Sequence, residues 1–280
     1  MNNQGPIGVF DSGLGGLSVL REMRTLLLAE DVLYYADNAY CPYGIRSREE
    51  IQDRSERISR LLIGLGAKAI VVACNTASAM AIEHLRAEFP AMPFVGLEPA
   101  VKPAVKLTRS GKVGVLATPR TVTGERLRWL IETYANGIEV RTVAATGLVE
   151  LVEAGTLSGP VVVETLRPLL DPMLEAGVDV VVLGCTHYPF LRAEIETYVG
   201  ERVPVIDSGV AIATRTRVVL EQHGLLGDRG SAGSVRMMTS AEAGPIDGVA
   251  RLLMPDAPTM MSVPVEDVTG SRTSNRLKGV

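Results

Sequence analysis

Cys74 and Cys185 stand in matched surroundings, Ala73-Cys74-Asn75-Thr76-Ala77-Ser78 and Gly184-Cys185-Thr186-His187-Tyr188-Pro189. A thiolate takes a proton and a thiol returns one, so two such groups can serve in turn as base and acid. Each cysteine follows a strand-like run and precedes a helix start, where free backbone amides suit a carboxylate ligand and lower a thiol pKa. Thr76 and Thr186 add hydroxyl donors. One strand-end cysteine alone reads as a small core residue; two in matched settings read as function. His187 is the natural partner of Cys185, because imidazole titrates near neutral pH. The other histidines, His84 and His223, lie in helical stretches. Asp11 ends the first strand, within reach of Cys74 or of a substrate ammonium group. Asp11 and Ser12 are also good caps for a helix from Leu17 to Leu28.

Other chemistries fit less well. Gly13-Leu14-Gly15-Gly16 has Ser18 where a dinucleotide loop needs glycine, and no Gly-Lys-Ser/Thr triplet occurs. NAD and ATP are therefore rejected, and these glycines are expected to let the backbone turn tightly beside a small acid. Cys74, Cys185, His187 and Asp11 are permissible zinc ligands. The short ligand pairs of structural zinc sites are absent, while a three-ligand catalytic site stays open on spacing alone.

The elements that must position these groups follow from apolar patterning. Strands are expected at Ile7–Phe10, Val32–Ala36, Ala69–Ala73 and Phe94–Leu97, then at Val113–Leu116, Ile138–Val143, Val178–Leu183 and Val203–Ile206. Helices fall between them, at about Ser47 to Leu65 and Ala77 to Glu88 among others. Ser47-x-x-Glu50 is a capping box, followed by a stripe of Ile51, Ile58, Leu62 and Leu65. Alternating strands and helices predict an α/β fold with mainly parallel sheets covered by helices and ligands at the carboxyl ends of strands. The chain also resembles itself. Ala69–Thr76 matches Asp179–Thr186, and Ile7–Ser12 matches Val113–Thr118, at nearly equal offsets. Two pseudo-symmetric domains, each giving one cysteine to a shared cleft, are the expected architecture. The crossing lies near Leu97 to Lys102, and Pro255 to Val280 reads as a loose tail.

With 280 residues and 46% hydrophobic content the chain can bury two cores. A net charge of −4 with scattered basic residues offers no footprint for nucleic acid or an anionic membrane. No apolar run approaches the about 18 residues of a membrane helix, and the start has no signal-peptide pattern. Three dispersed cysteines predict free thiols in a reducing compartment, and a cytoplasmic location is expected.

Over nearly its whole length the chain resembles the glutamate racemase family, within the cofactor-independent aspartate/glutamate racemase superfamily. The resemblance rests on Gly8-Val-Phe-Asp-Ser-Gly-Leu-Gly-Gly16, Cys41-Pro-Tyr-Gly44, Ala73–Ser78, Gly114–Thr118 with Thr121, Leu183–Pro189 and Asp207-Ser208. It implies Cys74 and Cys185 as the acid/base groups on the two faces of the α-carbon, Cys74 acting on the D-enantiomer and Cys185 on the L-enantiomer. Asp11 would assist the first thiol and His187 the second, with Glu153 supporting His187; on its own, Glu153 also reads as a solvated helix residue. Ser12, Pro42, Tyr43 and Gly44 would contact the side-chain carboxylate, and Asn75, Thr76 and Thr186 the α-carboxylate and ammonium. Thr118 and Thr121 match as well, whereas Cys41 reads as a bystander. The family often has serine and then tyrosine where this chain has Gly124 and Leu127.

The implied domain division is 1–98 plus 207–280, and 99–206. The implied partner is glutamate, without metal or cofactor; a homodimer is left open. The implied role is D-glutamate supply for peptidoglycan. Chemistry agrees with two thiols, since inversion needs groups on opposite sides of one carbon, within about 3–3.5 Å of the reacting atoms. The rival readings are an aspartate racemase, which Pro-Tyr-Gly disfavours, a binding protein for acidic amino acids, and a zinc hydrolase.

Overall fold

A computed structural model describes residues 3–228 and 230–265. Among the described residues ten strands form two sheets, parallel throughout. The first four are β1 (Ile7–Asp11), β2 (Val32–Ala36), β3 (Ala69–Val72) and β4 (Phe94–Gly96). The next four are β5 (Lys112–Ala117), β6 (Glu139–Ala144), β7 (Val180–Gly184) and β8 (Val205–Ile206). They are followed by β9 (Val235–Thr239) and β10 (Met260–Ser262). The larger sheet has the order β10-β9-β2-β1-β3-β4 and the smaller one β6-β5-β7-β8. Four strands of each sheet share one topology, with β1 between β2 and β3 as β5 lies between β6 and β7. This is the spatial form of the sequence repeat.

Alternating side chains on the strands feed different cores. Val9 and Val71 join one apolar cluster and Phe10 and Val72 another. Helices Leu17–Leu26 and Gly209–Gln222 pack together on the first side, and Arg48–Gly64 and Asn75–Glu88 on the second. The first cluster also takes in Val181 and Leu183 of β7 with Leu148, Val152 and Tyr188, so one continuous core joins the two halves. Val113, Val115, Val180 and Val182 pack into a third cluster on the far side of the smaller sheet.

The helix after Ser47 begins as its capping box predicts: Glu50 N donates to Ser47 Oγ at 3.1 Å, and Ser47 N to Glu50 Oε2 at 2.9 Å. Gly124 precedes the helix Glu125–Tyr134, and Leu127, buried in the third cluster, packs that helix onto the smaller sheet. Where the chain passes between the sheets, Ser208 Oγ donates to Glu98 O at 2.5 Å.

The loose tail expected from Pro255 needs correction. Met260–Ser262 pairs with β9 and extends the larger sheet, and Val265 is fully buried; residues 266–280 lie outside the described residues. Methionine and arginine in β9 and β10 carry little strand signal, and the intervening helix Ala243–Leu253 contains Gly244, Pro245 and Gly248. Edge pairing to β2 orders what the local pattern leaves ambiguous. Among the described residues no helix is long and apolar enough to cross a membrane.

Candidate active site

Cys74 and Cys185 occupy matching places at the carboxyl ends of β3 and β7. Val72 of β3 is in register with Phe10 of β1, and Gly184 of β7 with Ala117 of β5. Asp11 and Thr118 thus lie beside the two cysteine loops. Both sulfurs are buried. Cys74 caps the helix Asn75–Glu88 through its sulfur, which accepts from Ala77 N at 3.4 Å. Cys185 leads into a 3₁₀ turn, Tyr188–Leu191, instead of an α-helix, and Pro189 there removes a backbone donor.

Around Cys74 the expected lowering of the thiol pKa does not occur. Burial, and then the negative charge of Asp11, push Cys74 well above the ordinary thiol value, against the single amide of Ala77. Cys74 is therefore a neutral thiol beside the Asp11 carboxylate. Asp11 is fully buried, and burial raises it above the usual carboxylate value despite the charge of His187 and the amides that bond it. Those amides are Ser12 N on Oδ1 and Gly16 N on Oδ2, both at 2.7 Å. The N-cap of the following helix is Gly16, not Asp11 or Ser12 as expected; Asp11 instead holds the amide of that glycine while lying beside the thiol. Ser12 Oγ lies 3.9 Å from Cys74 Sγ.

Around Cys185 the arrangement is a relay. His187 Nδ1 lies 3.7 Å from Cys185 Sγ, and Nε2 lies 2.6 Å from Glu153 Oε1. Glu153 ends the helix Leu148–Glu153 and also accepts from Leu14 N at 2.6 Å and Asn38 Nδ2 at 2.9 Å. The solvated reading of Glu153 therefore fails. Asn38 is itself held by Thr239 Oγ1, at the end of β9, at 3.0 Å. Burial works against a charged His187, but hydrogen bonds to Cys185, Cys41 and Glu153 outweigh it and hold the imidazole well above its ordinary value. Gly15 N also points at Nε2, at 3.2 Å, an approach only a neutral ring could accept. The shorter bond to Glu153 and the raised His187 both favour Nε2–H donating to the carboxylate.

The glycines of Gly13-Leu14-Gly15-Gly16 serve a different purpose from the tight turn expected of them, since none of the three has positive φ. A Cβ on Gly13 would lie 2.1 Å from Glu153 Oε1, and one on Gly15 only 2.3 Å from His187 Nδ1. They are glycines because the relay of the other half occupies the space of their side chains.

The remaining candidates gather along the same seam. Thr76 Oγ1 is 2.9 Å from Thr118 Oγ1, which is 3.0 Å from Thr121 Oγ1, so hydroxyls from the two halves meet. Thr186 Oγ1 donates to Asp11 Oδ2 at 3.4 Å, and Ser18 Oγ to Thr186 O at 2.8 Å. Asn75 Nδ2 is buried and has no hydrogen-bond partner among the described residues; Asn75, Cys185 and Thr186 line one small cavity. Pro42 follows a cis peptide bond, and Gly44 packs so closely on Thr118 that a Cβ there would be 2.9 Å from the threonine Cβ.

Two residues that hold Tyr43 in this region, Asp37 and Arg54, escape a reading of the sequence. Tyr43 Oη donates to Asp37 Oδ2 at 2.5 Å, and Arg54 Nη2 donates to Asp37 Oδ1 at 2.7 Å. All three are buried, and Arg54 also lies over the Tyr40 ring, 3.7 Å from its centroid. An arginine in the middle of a charged helix gives no sign that it is buried. Cys41, read as a bystander, has its sulfur within 4.8 Å of donor atoms of His187 and Glu153, and burial pushes its thiol up to about 12.

Glu153 sits below its ordinary value of 4.5, its own burial being outweighed by His187, and His187 sits above 6.5. The contribution of Glu153 to folding stability is present above 4.5 and is lost as pH falls through its lowered folded value. That of His187 is complete below 6.5 and is lost as pH rises through its raised folded value. Glu153→Gln is therefore expected to destabilise the protein most between 4.5 and 6.5. Urea midpoints of the two proteins should converge on either side of that window; a constant gap across pH would contradict the charge pairing.

The Asp/Glu/hydantoin racemase family model matches residues 7–216. The glutamate racemase of Herpetosiphon aurantiacus is 49% identical over 237 residues, covering 85% of this chain and 93% of that relative. That of Deinococcus radiodurans is 48% identical over 261 residues, covering 92% and 90%. Among solved structures, glutamate racemase of Francisella tularensis in complex with D-glutamate superposes with a TM-score of 0.83 at 29% identity, covering 95% of this chain and 99% of that one. The Escherichia coli enzyme, in complex with L-glutamate and the activator UDP-MurNAc-ala, gives 0.80 at 34% identity, covering 92% and 97%. The chain belongs to the Asp/Glu/hydantoin racemase family and, within it, to the glutamate racemases.

Proposed function

We propose that the protein interconverts L- and D-glutamate with Cys74 and Cys185 as the two acid/base groups, one on each face of the α-carbon. The observation that carries this is the matched pair of buried thiols at the carboxyl ends of β3 and β7, one beside the Asp11 carboxylate and the other 3.7 Å from His187 Nδ1. A neutral Cys74 and a cationic His187 suit a resting state that starts from the L-enantiomer. Cys185 takes the α-proton, with the imidazolium holding the charge on sulfur, while Cys74 delivers its proton to the opposite face. In the reverse direction Asp11, raised by burial, takes the Cys74 proton as that thiol becomes the base.

The carbanion needs stabilisation at the α-carboxylate, for which the unpaired Asn75 amide with Thr76 and Thr186 is suited. Ser12 and the segment Pro42-Tyr43-Gly44 take the side-chain carboxylate, with Thr118 and Thr121 completing the seam. The bound D- and L-glutamate of the Francisella and Escherichia enzymes support the substrate. On this reading residues 1–98 with 207–280 form one domain and 99–206 the other, and the enzyme works in the cytoplasm to supply D-glutamate for peptidoglycan.

In deuterated water, the protein is expected to invert either enantiomer of glutamate and to place deuterium at the α-carbon, as followed by polarimetry and proton NMR. Exchange with aspartate but not glutamate would overturn the substrate. Absence of α-exchange with both would overturn the reaction.

A further inference from the structure

Cys41 passes no proton to or from substrate in the two-thiol route, yet its sulfur forms a close group with Glu153 and His187. Among the described residues this is the one set of three such side chains whose donor atoms all lie within 4.8 Å of one another. It differs from the set that the sequence suggested, in which Asp11 is engaged by the amides of Ser12 and Gly16. Thiolate, imidazole and carboxylate are a zinc-type donor set, with bonds of about 2.0–2.3 Å and a fourth position left for water. The donors come from three separate elements, the loop before Pro42, the end of the helix Leu148–Glu153 and the turn after β7. Their outer partners are in place, since Asn38 Nδ2 and Leu14 N orient the Glu153 carboxylate. Cys41 and Glu153 are only partly buried, while His187 is buried. An ion therefore meets the sulfur and the carboxylate first and the imidazole last.

We propose that Cys41, Glu153 and His187 form a site for one thiophilic divalent cation of the Zn2+ or Cd2+ type, which binds His187 through Nε2 in place of its proton, so that Nδ1 still faces Cys185 but the ring can no longer exchange protons through Glu153. The cation replaces the Cys41 thiol proton and the proton shared by His187 and Glu153; both go to solvent and nothing is oxidised. Loss of turnover on binding rests on the two-thiol reading, whereas binding itself does not.

The binding test uses full-length protein carrying Cys74→Ser and Cys185→Ser, in which Cys41 is the sole remaining cysteine. Titration with Cd2+ is expected to give one equivalent of the ultraviolet thiolate-to-cadmium band, and adding Cys41→Ala should abolish both the band and the retained cadmium. If that variant does not keep the parent melting curve, His187→Gln in the same background serves the same purpose. No band, or undiminished cadmium retention without Cys41, overturns the site. In the otherwise native enzyme Cys41→Ala should raise the Zn2+ concentration for half-inhibition, each protein measured against its own metal-free rate, at least about tenfold. Equal sensitivity to Zn2+ in both proteins would overturn the link between the site and turnover.

Discussion

Cys74→Ser and Cys185→Ser are each expected to lower kcat for glutamate inversion by about 10²–10⁴-fold, the range general acid/base groups contribute. A serine hydroxyl stays protonated at neutral pH, so the substituted face can neither take nor promptly return a proton. The two variants should also fail differently. With L-glutamate in deuterated water, Cys74→Ser keeps Cys185 and its His187 partner. That thiol can remove the α-proton, exchange it with solvent and return deuterium to the same face. α-Deuteration with retained configuration should therefore outpace inversion. Cys185→Ser should behave the same way with D-glutamate. KM should change little, because the contacts assigned to the carboxylates remain. Inversion surviving in either variant within about tenfold of the native rate would remove that cysteine from the mechanism.

Gly15→Ala should be nearly as damaging although it adds a single carbon. The new Cβ would fall 2.3 Å from His187 Nδ1 and 2.6 Å from Cε1, distances at which the ring must move. The imidazole stands between Cys185 at 3.7 Å and Glu153 at 2.6 Å, so any displacement breaks one contact or both. A fall in kcat of about 10²-fold or more is expected, the scale of a misplacement of about 1 Å in a reacting constellation. Overpacking should also lower stability, by about 1–3 kcal/mol. Gly64→Ala is the control, because a Cβ there meets nothing within 4 Å. The diagnostic readout is the imidazole nitrogen NMR signal, which should lose its imidazolium character in Gly15→Ala and keep it in the control. A Gly15→Ala enzyme with native kcat and an unchanged His187 signal would show that the relay does not depend on this packing.

The sequence by itself determined the eight strands of the repeat and the matched positions of Cys74 and Cys185. Both follow from local rules: buried parallel strands read as short apolar runs, and a duplicated unit repeats its motifs in order. The capping box at Ser47 and Glu50 was equally legible, because it is satisfied within one turn. Tertiary structure alone decided the rest. Glu153 and His187 are 34 residues apart, and Asn38 and Thr239 are 201 apart; no local pattern encodes such encounters. Gly13 and Gly15 looked like turn residues, yet the space they leave is filled by side chains from the other half of the chain. The same holds for charge. A helix start beside Cys74 suggested a lowered thiol pKa, but burial and the neighbouring Asp11 carboxylate reverse it. Desolvation depends on everything packed around a group, so the protonation states of this site belong to the folded molecule.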